Sequence, residues 1–597
     1  MAQDVLGIEN YPEWDLTDLY SSDTDPAIER DWALCETESA AFQAKFKGVF
    51  NGSAWTTSNL FEAITTYETI QERFGRLGSY TGLRYYKNIK DQDILLMYQK
   101  TQERLTNLSS RFIFFTLELN EIEDTRLEAA FATSSELERY RPYFDQIRTF
   151  KNHQLTPDLE KVFLEKSLTS SRALNRLYDE TLASMSFNVD GTALSLSGVT
   201  ELMSDANPTK RRQGAMALAE GLSSKASLFA FITNTLAKDK EIEDKWRTYA
   251  SPMHERHLAN QVEADVVNAL VVAVKQSYPR LSHRYYALKA KMMGIPVLQY
   301  WDRNAPLSDA DDETFTWLET RKIVMDAYQA FSPKIAAIAG DFFDKNWIDV
   351  PSTDGKTSGA FSHPTVPTVH PYVLLNFHGK KRDVMTLAHE LGHGVHQVLA
   401  ADQGYLLSDT PLTLAETASV FGEMLTFQNL LKHAKNPSEK RQMLAGKIED
   451  MLNTVVRQIA FYLFEEQVHT RRKTSELSID DINSIWLETQ KEALGEAVHL
   501  DPLVGSYWAY ISHFIHSPFY VYAYAFGDCL VNSLFAVYQN NPEGFQEKYI
   551  DLLKAGGSKR HKELLAPFGL DASNPNFWTQ GLSMIEGLID ELESLVE

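Results

Sequence analysis

Hydrophobic residues recur every three or four positions along most of the chain, the spacing that places them on one face of an α-helix. Residues 58–77 and 244–258 show this spacing and predict amphipathic helices. Residues 266–274 are almost continuously apolar and predict a buried helix. The sequence contains no repeat, low-complexity tract or heptad run. We therefore expect a mainly α-helical protein.

The pattern changes between residues 350 and 371, where proline, glycine, serine and threonine are dense enough to predict a loop or a hairpin. The apolar run YVLLNF, residues 372–377, predicts a short strand. A helix is expected to begin soon afterwards, near Asp383. A weaker change at residues 190–208 indicates that an N-terminal helical region is separate from the rest of the chain.

The chain of 597 residues carries 81 acidic and 58 basic residues, a net charge of −23. This charge argues against nucleic acid and anionic membranes as partners. Two cysteines, Cys35 and Cys529, do not suggest a disulfide framework. The first residues are acidic and lack the basic and apolar pattern of a secretion signal. We expect a cytoplasmic protein.

The segment from Leu503 to Gly527 contains no Asp, Glu, Lys or Arg and is long enough to span a bilayer. It also contains two histidines and several serines and tyrosines, which are costly to place in lipid. We predict a buried helix that faces a wet cleft, and no membrane partner.

The pentapeptide HELGH, residues 389–393, matches the H-E-x-x-H pattern of zinc sites. His389 and His393 are four residues apart, so on a helix both imidazoles can bind one ion. A catalytic zinc site needs a third protein ligand and leaves one position for water. Glu390 lies about 100° around the helix from His389, where it can act as general base without being a ligand. We predict one Zn²⁺ per chain, although cobalt or manganese would suit similar donors.

The third ligand is not expected on the same helix. Leu399 stands where the H-E-x-x-H-x-x-G-x-x-H pattern has its last histidine. His396 would be poorly placed around a tetrahedral ion, so we predict that it lies in the cleft or beside the ligands.

A carboxylate from a second helix is the better candidate for the third ligand. Thr410 and Pro411 predict a helix start, as N-cap and first helical residue. Glu416 then falls in the second turn, with Glu423 on the same face, so we predict Glu416 as ligand. Glu423 is predicted to accept a hydrogen bond from a ligand imidazole. Asp383 could do the same, although an acid in the first turn also stabilises a helix.

Four side chains within the uncharged segment, His513, His516, Tyr520 and Tyr524, share a three- and four-residue spacing. On a continuous helix they would form one polar face, with Tyr522 pointing elsewhere. Such donors can stabilise an oxyanion that forms in a hydrolytic reaction, and the same residues also suit a packed aromatic core. The spacing alone leaves both interpretations open.

Three segments together resemble the M3 zinc metallopeptidases, in particular their oligoendopeptidase F branch: HELGHGVHQ, the stretch around Glu416, and HFIHSPFYVYAYAFG at 513–527. The segments YPEWDLTDLY, HRYYALKAKMMG, YVLLNF and AGGSK agree, so the resemblance covers nearly the whole chain. It implies a mainly α, multi-helix, bowl- or clam-shaped peptidase with a deep central channel and a small β-sheet beside the HExxH helix. Residues 1–195 would form one wall of the channel, and residues 196–597 the catalytic domain.

The resemblance also implies roles for individual residues. His389, His393 and Glu416 match the zinc ligands, and Glu390 matches the catalytic base. His513 and Tyr524, then Tyr520, are expected to stabilise the oxyanion, with Tyr522 as a further candidate. The residues expected to contact substrate are Gly359, Ala360 and Phe361 on a strand that holds the substrate backbone, together with His516, Tyr522 and His396.

The implied function is zinc-dependent cleavage of internal bonds in short, unstructured oligopeptides, by a monomer or a small homo-oligomer. A zinc carboxypeptidase or dipeptidase of related helical fold is an alternative, but it would need a cationic group for the terminal carboxylate. An inactive peptide-binding homologue is a further alternative, and it would usually have lost a ligand or the base.

Overall fold

A computed structural model describes residues 11–52, 54–307 and 314–596. The described chain is mainly α-helical with a few short strands, which confirms the predicted fold class. The first ten residues, on which the prediction about a secretion signal rests, lie outside the described residues.

The helices are α1 (Pro26–Phe46), α2 (Thr57–Lys87), α3 (Gln92–Ser109), α4 (Ile113–Glu121), α5 (Asp124–Thr133), α6 (Ser135–Glu138), α7 (Arg141–Arg148), α8 (Pro157–Ser167), α9 (Ser171–Ser184), α10 (Leu196–Leu202), α11 (Pro208–Ser224), α12 (Ala226–Trp246), α13 (His254–Ala259), α14 (Ala264–Ser277), α15 (Ser282–Met292), α16 (Trp317–Phe331), α17 (Pro333–Asp344), α18 (Lys381–Ala400), α19 (Leu412–Ala415), α20 (Thr417–Lys432), α21 (Pro437–Thr454), α22 (Val456–Arg472), α23 (Ile479–Leu494), α24 (His513–His516), α25 (Tyr522–Asn540), α26 (Phe545–Lys554), α27 (His561–Leu565) and α28 (Pro575–Ser594). The strands are β1 (Phe187–Val189), β2 (Thr192–Leu194), β3 (Leu298–Gln299), β4 (Ile348–Pro351), β5 (Phe361–His363), β6 (Tyr372–Phe377) and β7 (Val498–His499). Short 3₁₀ helices occupy Ser110–Phe112, Lys151–His153, Tyr278–Arg280, Tyr300–Asp302, Ala401–Gln403, Pro502–Tyr510 and Ala566–Phe568.

The described residues form two compact units, each built from three separate stretches of chain. Unit 1 takes the described residues within Met1–Lys151, Asp312–His433 and Asn541–Phe568. Unit 2 takes those within Asn152–Asp311, Ala434–Asn540 and Gly569–Glu597. The predicted division into an N-terminal helical region, residues 1–195, and a catalytic domain, residues 196–597, stays a prediction.

Unit 1 contains a three-stranded sheet in the order β4-β6-β5, with β6 parallel to β4 and antiparallel to β5. Strand β6 has the predicted bounds, and its first four residues are fully buried. The turn after β6 passes through Gly379, whose φ of 75° requires the left-handed region that glycine tolerates. Helix α18 follows, so the sheet fixes where this helix starts.

Helix α18 packs the apolar side of its sequence against α20, α16 and α17. Its buried apolar residues, spaced by three and four, are Val384, Leu387, Ala388, Leu391, Val395 and Leu399. This pattern is the one that the sequence predicts for an amphipathic helix, and it leaves His389 and His393 partly exposed on the other side.

Unit 2 contains the predicted buried helix, which lies within α14. The helix predicted over residues 244–258 is interrupted, because α12 ends at Trp246 and α13 begins at His254. Thr248 between them has a φ of 60°, which a continuous helix does not allow. The prediction of one helix over this range is therefore wrong.

The uncharged segment from Leu503 to Gly527 also differs from its prediction as one continuous helix. It contains a 3₁₀ helix, the four-residue α24, and the start of α25 at Tyr522. Pro518 and Phe519 separate the two α-helices, and Phe519 has a φ of 59°. Among the described helices, none alone is long and apolar enough to cross a membrane, although α11 and α12, bent by 66°, meet that criterion as a pair. Cys35 and Cys529 are buried and unpaired.

Candidate metal centre

Two imidazoles of α18 and one carboxylate from the α19–α20 junction come together in unit 1. His389 and His393 lie one turn apart, with ring centroids 4.9 Å from each other and ring planes at 82°. The Oε2 atom of Glu416 lies 3.4 Å from His389 Nε2 and 3.5 Å from His393 Nε2. One ligand atom from each residue can be chosen so that all three lie within 4.8 Å of one another. Donors that share one ion at bonds of about 2 Å have such separations.

The backbone around Glu416 differs from the predicted single helix. Pro411 precedes the short helix α19, and Glu416 lies at the break between α19 and α20, with φ −79° and ψ 0°. Thr410 is therefore not the N-cap of a helix that carries Glu416 in its second turn. The carboxylate still reaches the two imidazoles, because the break places Glu416 at the start of α20.

The close approach of α20 to α18 depends on Gly392, inside the HELGH pentapeptide. A Cβ atom built on Gly392 would come within 2.5 Å of the Ala418 carbonyl oxygen and 2.6 Å of the Ser419 Cα atom. Both atoms are backbone and cannot move aside as the end of a flexible side chain would. Gly392 thus allows the two helices to approach closely enough for Glu416 to meet the histidines.

Neighbouring hydroxyl groups fix this junction. Ser419, fully buried, donates a hydrogen bond to Glu416 Oε2 at 2.6 Å. Tyr549 of α26 donates to the carbonyl of Thr417 at 2.9 Å, and Tyr328 of α16 donates to the carbonyl of Ala388 at 2.6 Å. Sequence reasoning missed these three positions, although Ser419 stands three residues after Glu416, a spacing that often brings a hydroxyl and a carboxylate together.

Glu423 of α20 lies beside His389. Its Oε2 atom lies 3.3 Å from His389 Nδ1. Burial lowers the pKa of His389, but the hydrogen bond to Glu423 and the charges of Glu416 and Glu390 outweigh burial and raise it. With Nδ1 donating to Glu423, the Nε2 atom that faces Glu416 is free to bind a metal.

Asp383 does not take part in this arrangement. Its Oδ2 atom accepts hydrogen bonds from the backbone N–H groups of His378 at 2.8 Å and Lys380 at 3.0 Å. The carboxylate therefore caps the N-terminus of α18. The prediction that Asp383 orients a ligand imidazole is wrong, and the alternative of a helix-stabilising acid is the one observed.

Glu390 is buried beside the three metal-binding candidates. Burial raises its pKa to about 7, although the His389 side chain and a hydrogen bond from the Ser362 backbone act in the opposite direction. A carboxyl group whose pKa lies near neutrality can both accept and release a proton at neutral pH. The backbone contact also places Glu390 next to strand β5.

The three residues expected to hold the substrate backbone lead into β5, which is an outer strand of the described sheet. Gly359 has a φ of 84°, and its carbonyl accepts a hydrogen bond from the Asn376 amide at 2.9 Å. Only Phe361, which pairs with Leu374, belongs to the strand itself. Gly359 and Ala360 form the turn before it.

His396 lies one turn beyond His393 but is not part of the metal-binding group. It is buried, and its Nε2 atom lies 3.3 Å from the Thr410 hydroxyl. Burial lowers the pKa of His396 to about 3, so the imidazole is neutral at physiological pH.

The aromatic residues expected at the oxyanion form a cluster in unit 2. His513 Nε2 lies 3.1 Å from the Tyr524 hydroxyl, and the ring of Tyr520 lies 6.0 Å from that of His513. Tyr524 is 38% exposed. The turn at Phe519 brings these residues together, not the face of a continuous helix.

His516 and Tyr522 lie outside this cluster. His516 Nε2 is 2.8 Å from the Asp179 carboxylate. The Tyr522 side chain is fully buried, and Asn260 Nδ2 donates to its hydroxyl at 2.9 Å. A substrate cannot reach a side chain in this position, so the prediction that Tyr522 contacts substrate is wrong.

Models of known protein families match most of this chain. The family model described as "Peptidase family M3" matches residues 201–584, and the model described as "Oligopeptidase F" matches residues 118–187. The oligopeptidase PepF of Bacillus subtilis is 25% identical over 98% of this chain and 87% of its own length. The oligoendopeptidase F homologue of Lactococcus lactis is 27% identical over 100% of this chain and 99% of its own.

Solved structures share the fold. A crystal structure of a Chlamydophila abortus protein has a TM-score of 0.86 at 24% identity and covers 98% of both chains. The oligoendopeptidase-F from Enterococcus faecium has a TM-score of 0.70 at 21% identity, with 96% of this chain and 99% of that chain covered.

Proposed function

Because the chain belongs to peptidase family M3, we propose that it is a zinc-dependent endopeptidase that cleaves internal bonds of short, unstructured oligopeptides. The observation that carries the proposal is the group formed by His389, His393 and Glu416 beside a buried Glu390. Family membership and this group make the chain a metallopeptidase. The metal, the base and the substrate class are parts of the proposal.

The proposed metal ligands are His389 Nε2, His393 Nε2 and the Glu416 carboxylate. When bound, Zn²⁺ polarises the scissile carbonyl and lowers the pKa of the attacking water. The donor set suits this ion, because two imidazoles and one carboxylate leave a coordination position open. Ser419 supports the set by donating to the Glu416 carboxylate.

Glu390 is proposed as the general base. It accepts a proton from the attacking water and then gives that proton to the leaving amine. The pKa of Glu390, raised to about 7 by burial, supports both roles. The position of Glu390 next to β5 would keep the base close to a peptide aligned with this strand.

The remaining roles follow the resemblance. Gly359, Ala360 and Phe361 are proposed to hold the substrate backbone, and pairing with an outer strand is a common way of binding an extended peptide. His513, Tyr524 and Tyr520 are proposed to stabilise the oxyanion, while His516 and His396 are proposed to contact substrate. We further propose a cytoplasmic monomer or small homo-oligomer without nucleic-acid or membrane partners.

Peptide digestion tests this function. A pool of end-blocked peptides of graded length, incubated with the zinc-loaded protein and read by mass spectrometry, should yield internal cleavage products. Glu390→Gln should still bind one equivalent of Zn²⁺ while the rate falls by about 10²–10⁴-fold. Matched peptides with free C-termini serve as the comparison: cleavage of these alone, from the C-terminal end, would indicate a carboxypeptidase. Full activity of Glu390→Gln would exclude the proposed base.

A further inference from the structure

A cavity of about 710 Å³ opens within unit 1 beside one of the proposed metal ligands. His393 and Ala415 form the part of its wall nearest the metal centre, and Tyr405 and Asp409 also line it. Its volume falls within the range of pockets that bind small molecules and parts of peptides. A peptide bond held at the metal would therefore have its neighbouring side chains close to this cavity.

The walls of the cavity carry very little charge. Asp409 is the one Asp or Glu among the described residues that line it, and no lysine or arginine lines it. Three histidines line it. His393 is a proposed metal ligand, burial lowers the pKa of His396 so that it is neutral, and His370 lies 2.9 Å from Asp18. The cavity therefore presents one anionic group.

Within the described ranges of the chain, no lysine, arginine or histidine forms an ion pair with Asp409. Solvent reaches its side chain, yet the surrounding protein raises its pKa by burial, and the only opposing contribution is a hydrogen bond from the Thr410 backbone. The Asp409 side chain is exposed and open to the cavity. A carboxylate in this position, with no countercharge among the described residues, favours a cation from outside the protein.

We propose that this cavity binds a basic side chain of the substrate, lysine or arginine, and that Asp409 is its anionic partner. The inference rests on the proposed function for its substrate class. Thr410 connects Asp409 to the metal centre, since its hydroxyl lies 3.3 Å from His396, one turn from His393. The aromatic ring of Tyr405 offers a surface on which the aliphatic part of the basic side chain can pack.

Peptide cleavage and peptide binding test the proposal separately. End-blocked peptides that differ only in carrying Lys, Arg, Met, Gln or Glu at one position near the cleaved bond are compared by kcat/KM. The zinc-loaded protein should favour Lys and Arg over Met and Gln by about tenfold at one position, and the preference should weaken with salt. In Asp409→Asn the ratio should fall to about one. Asp402→Asn, which removes a nearby carboxylate outside the cavity, should leave the ratio unchanged.

Binding is measured by calorimetry with the zinc-loaded Glu390→Gln protein, alone and combined with Asp409→Asn. The same preference should appear there and disappear with Asp409→Asn, while melting temperatures verify folding. Equal affinity for the Lys and Met peptides, or a preference that survives Asp409→Asn, would overturn the proposal. Binding preference without any cleavage by the unmodified protein would uphold the basic pocket and reject the proposed function.

Discussion

Gly392 of α18 lies against the backbone of Ala418 in α20, with no room between them for a single carbon atom. A Cβ atom on Gly392 would stand 2.5 Å from the Ala418 carbonyl oxygen. Two proposed ligands belong to the first helix, and the third, Glu416, stands directly before the second. The missing side chain at position 392 therefore sets the distance between the ligands.

Gly392→Ala should weaken metal binding by more than tenfold. The methyl group forces the backbones of α18 and α20 apart and moves Glu416 away from the histidines. Zinc affinity is measured by competition with a chromogenic chelator. Gly446→Ala, at a helical glycine with open space around it, is the matched control and should bind zinc normally. Equal affinity in both variants would contradict the proposed role of Gly392.

Glu423→Gln should weaken zinc binding by about 10–100-fold, the usual effect of losing a charged partner of a ligand histidine. The amide can still accept from His389 Nδ1, but it lacks the charge that raises the basicity of the ring. The measurement is the same zinc competition.

Asp383→Asn serves as the comparison for Glu423→Gln. It weakens a helix cap, so it should reduce the free energy of unfolding by about 1 kcal/mol and leave zinc affinity unchanged. If Asp383→Asn instead lowered zinc affinity as much as Glu423→Gln, the separation of capping and orienting carboxylates would be wrong.

Tyr524→Phe should lower kcat by about 10²-fold with little change in KM, because the hydroxyl is proposed to act on the transition state. Initial rates measured at several concentrations of one fluorescence-quenched peptide give both kcat and KM. Tyr522→Phe is the contrasting variant: it removes the hydroxyl bonded to Asn260 in the core and should cost about 1 kcal/mol of stability with kcat retained. If Tyr522→Phe instead lost kcat while Tyr524→Phe kept it, catalysis would be assigned to the buried tyrosine.

Glu465 should make the stability of the protein depend on pH. Burial raises the pKa of this carboxyl from 4.5 to about 8, against the opposing effects of the Phe519 backbone N–H and Arg256. Below pH 4.5 the carboxyl is protonated in both states, whereas between 4.5 and 8 the unfolded chain releases the proton and the folded chain keeps it. Stability therefore falls as pH rises through this range.

Glu465→Gln keeps an acceptor for the Phe519 N–H group and removes the titration. Calorimetry measures the unfolding temperature of both proteins. The difference between the unmodified protein and Glu465→Gln should decrease as the pH is raised from 5 to 8. A difference that stays constant with pH would show that Glu465 is ionised in the folded protein.

Local sequence patterns predicted part of this molecule well. The strand at residues 372–377 has its predicted bounds because an apolar run between turn residues leaves few alternatives. His389 and His393 lie one turn apart on α18, as the helical period predicts, and the Glu423 carboxylate lies 3.3 Å from His389 Nδ1. Their roles stay predictions. These features depend on residues near one another in the chain or on a simple period.

The wrong predictions arose where distant residues or one unusual backbone angle decide the structure. The helical spacing of Tyr520 and Tyr524 breaks at Phe519, whose φ of 59° is not apparent from residue type. Tyr522 is buried, and its hydroxyl accepts a hydrogen bond from Asn260, a residue far away in the sequence. Asp383 could have capped a helix or oriented a ligand, and only the backbone positions distinguish the two.

The hydrogen bond from Tyr549 to Thr417 also has a consequence for the order in which the protein is made. A ribosome that has translated as far as Glu416 has supplied every proposed zinc ligand, but not α26, which begins at Phe545. More than a hundred residues, most of them destined for unit 2, must be synthesised before the helix that supports the third ligand exists. The hydrogen bond that holds the backbone directly after Glu416 can therefore form only late in biosynthesis, although the proposed ligands are translated much earlier.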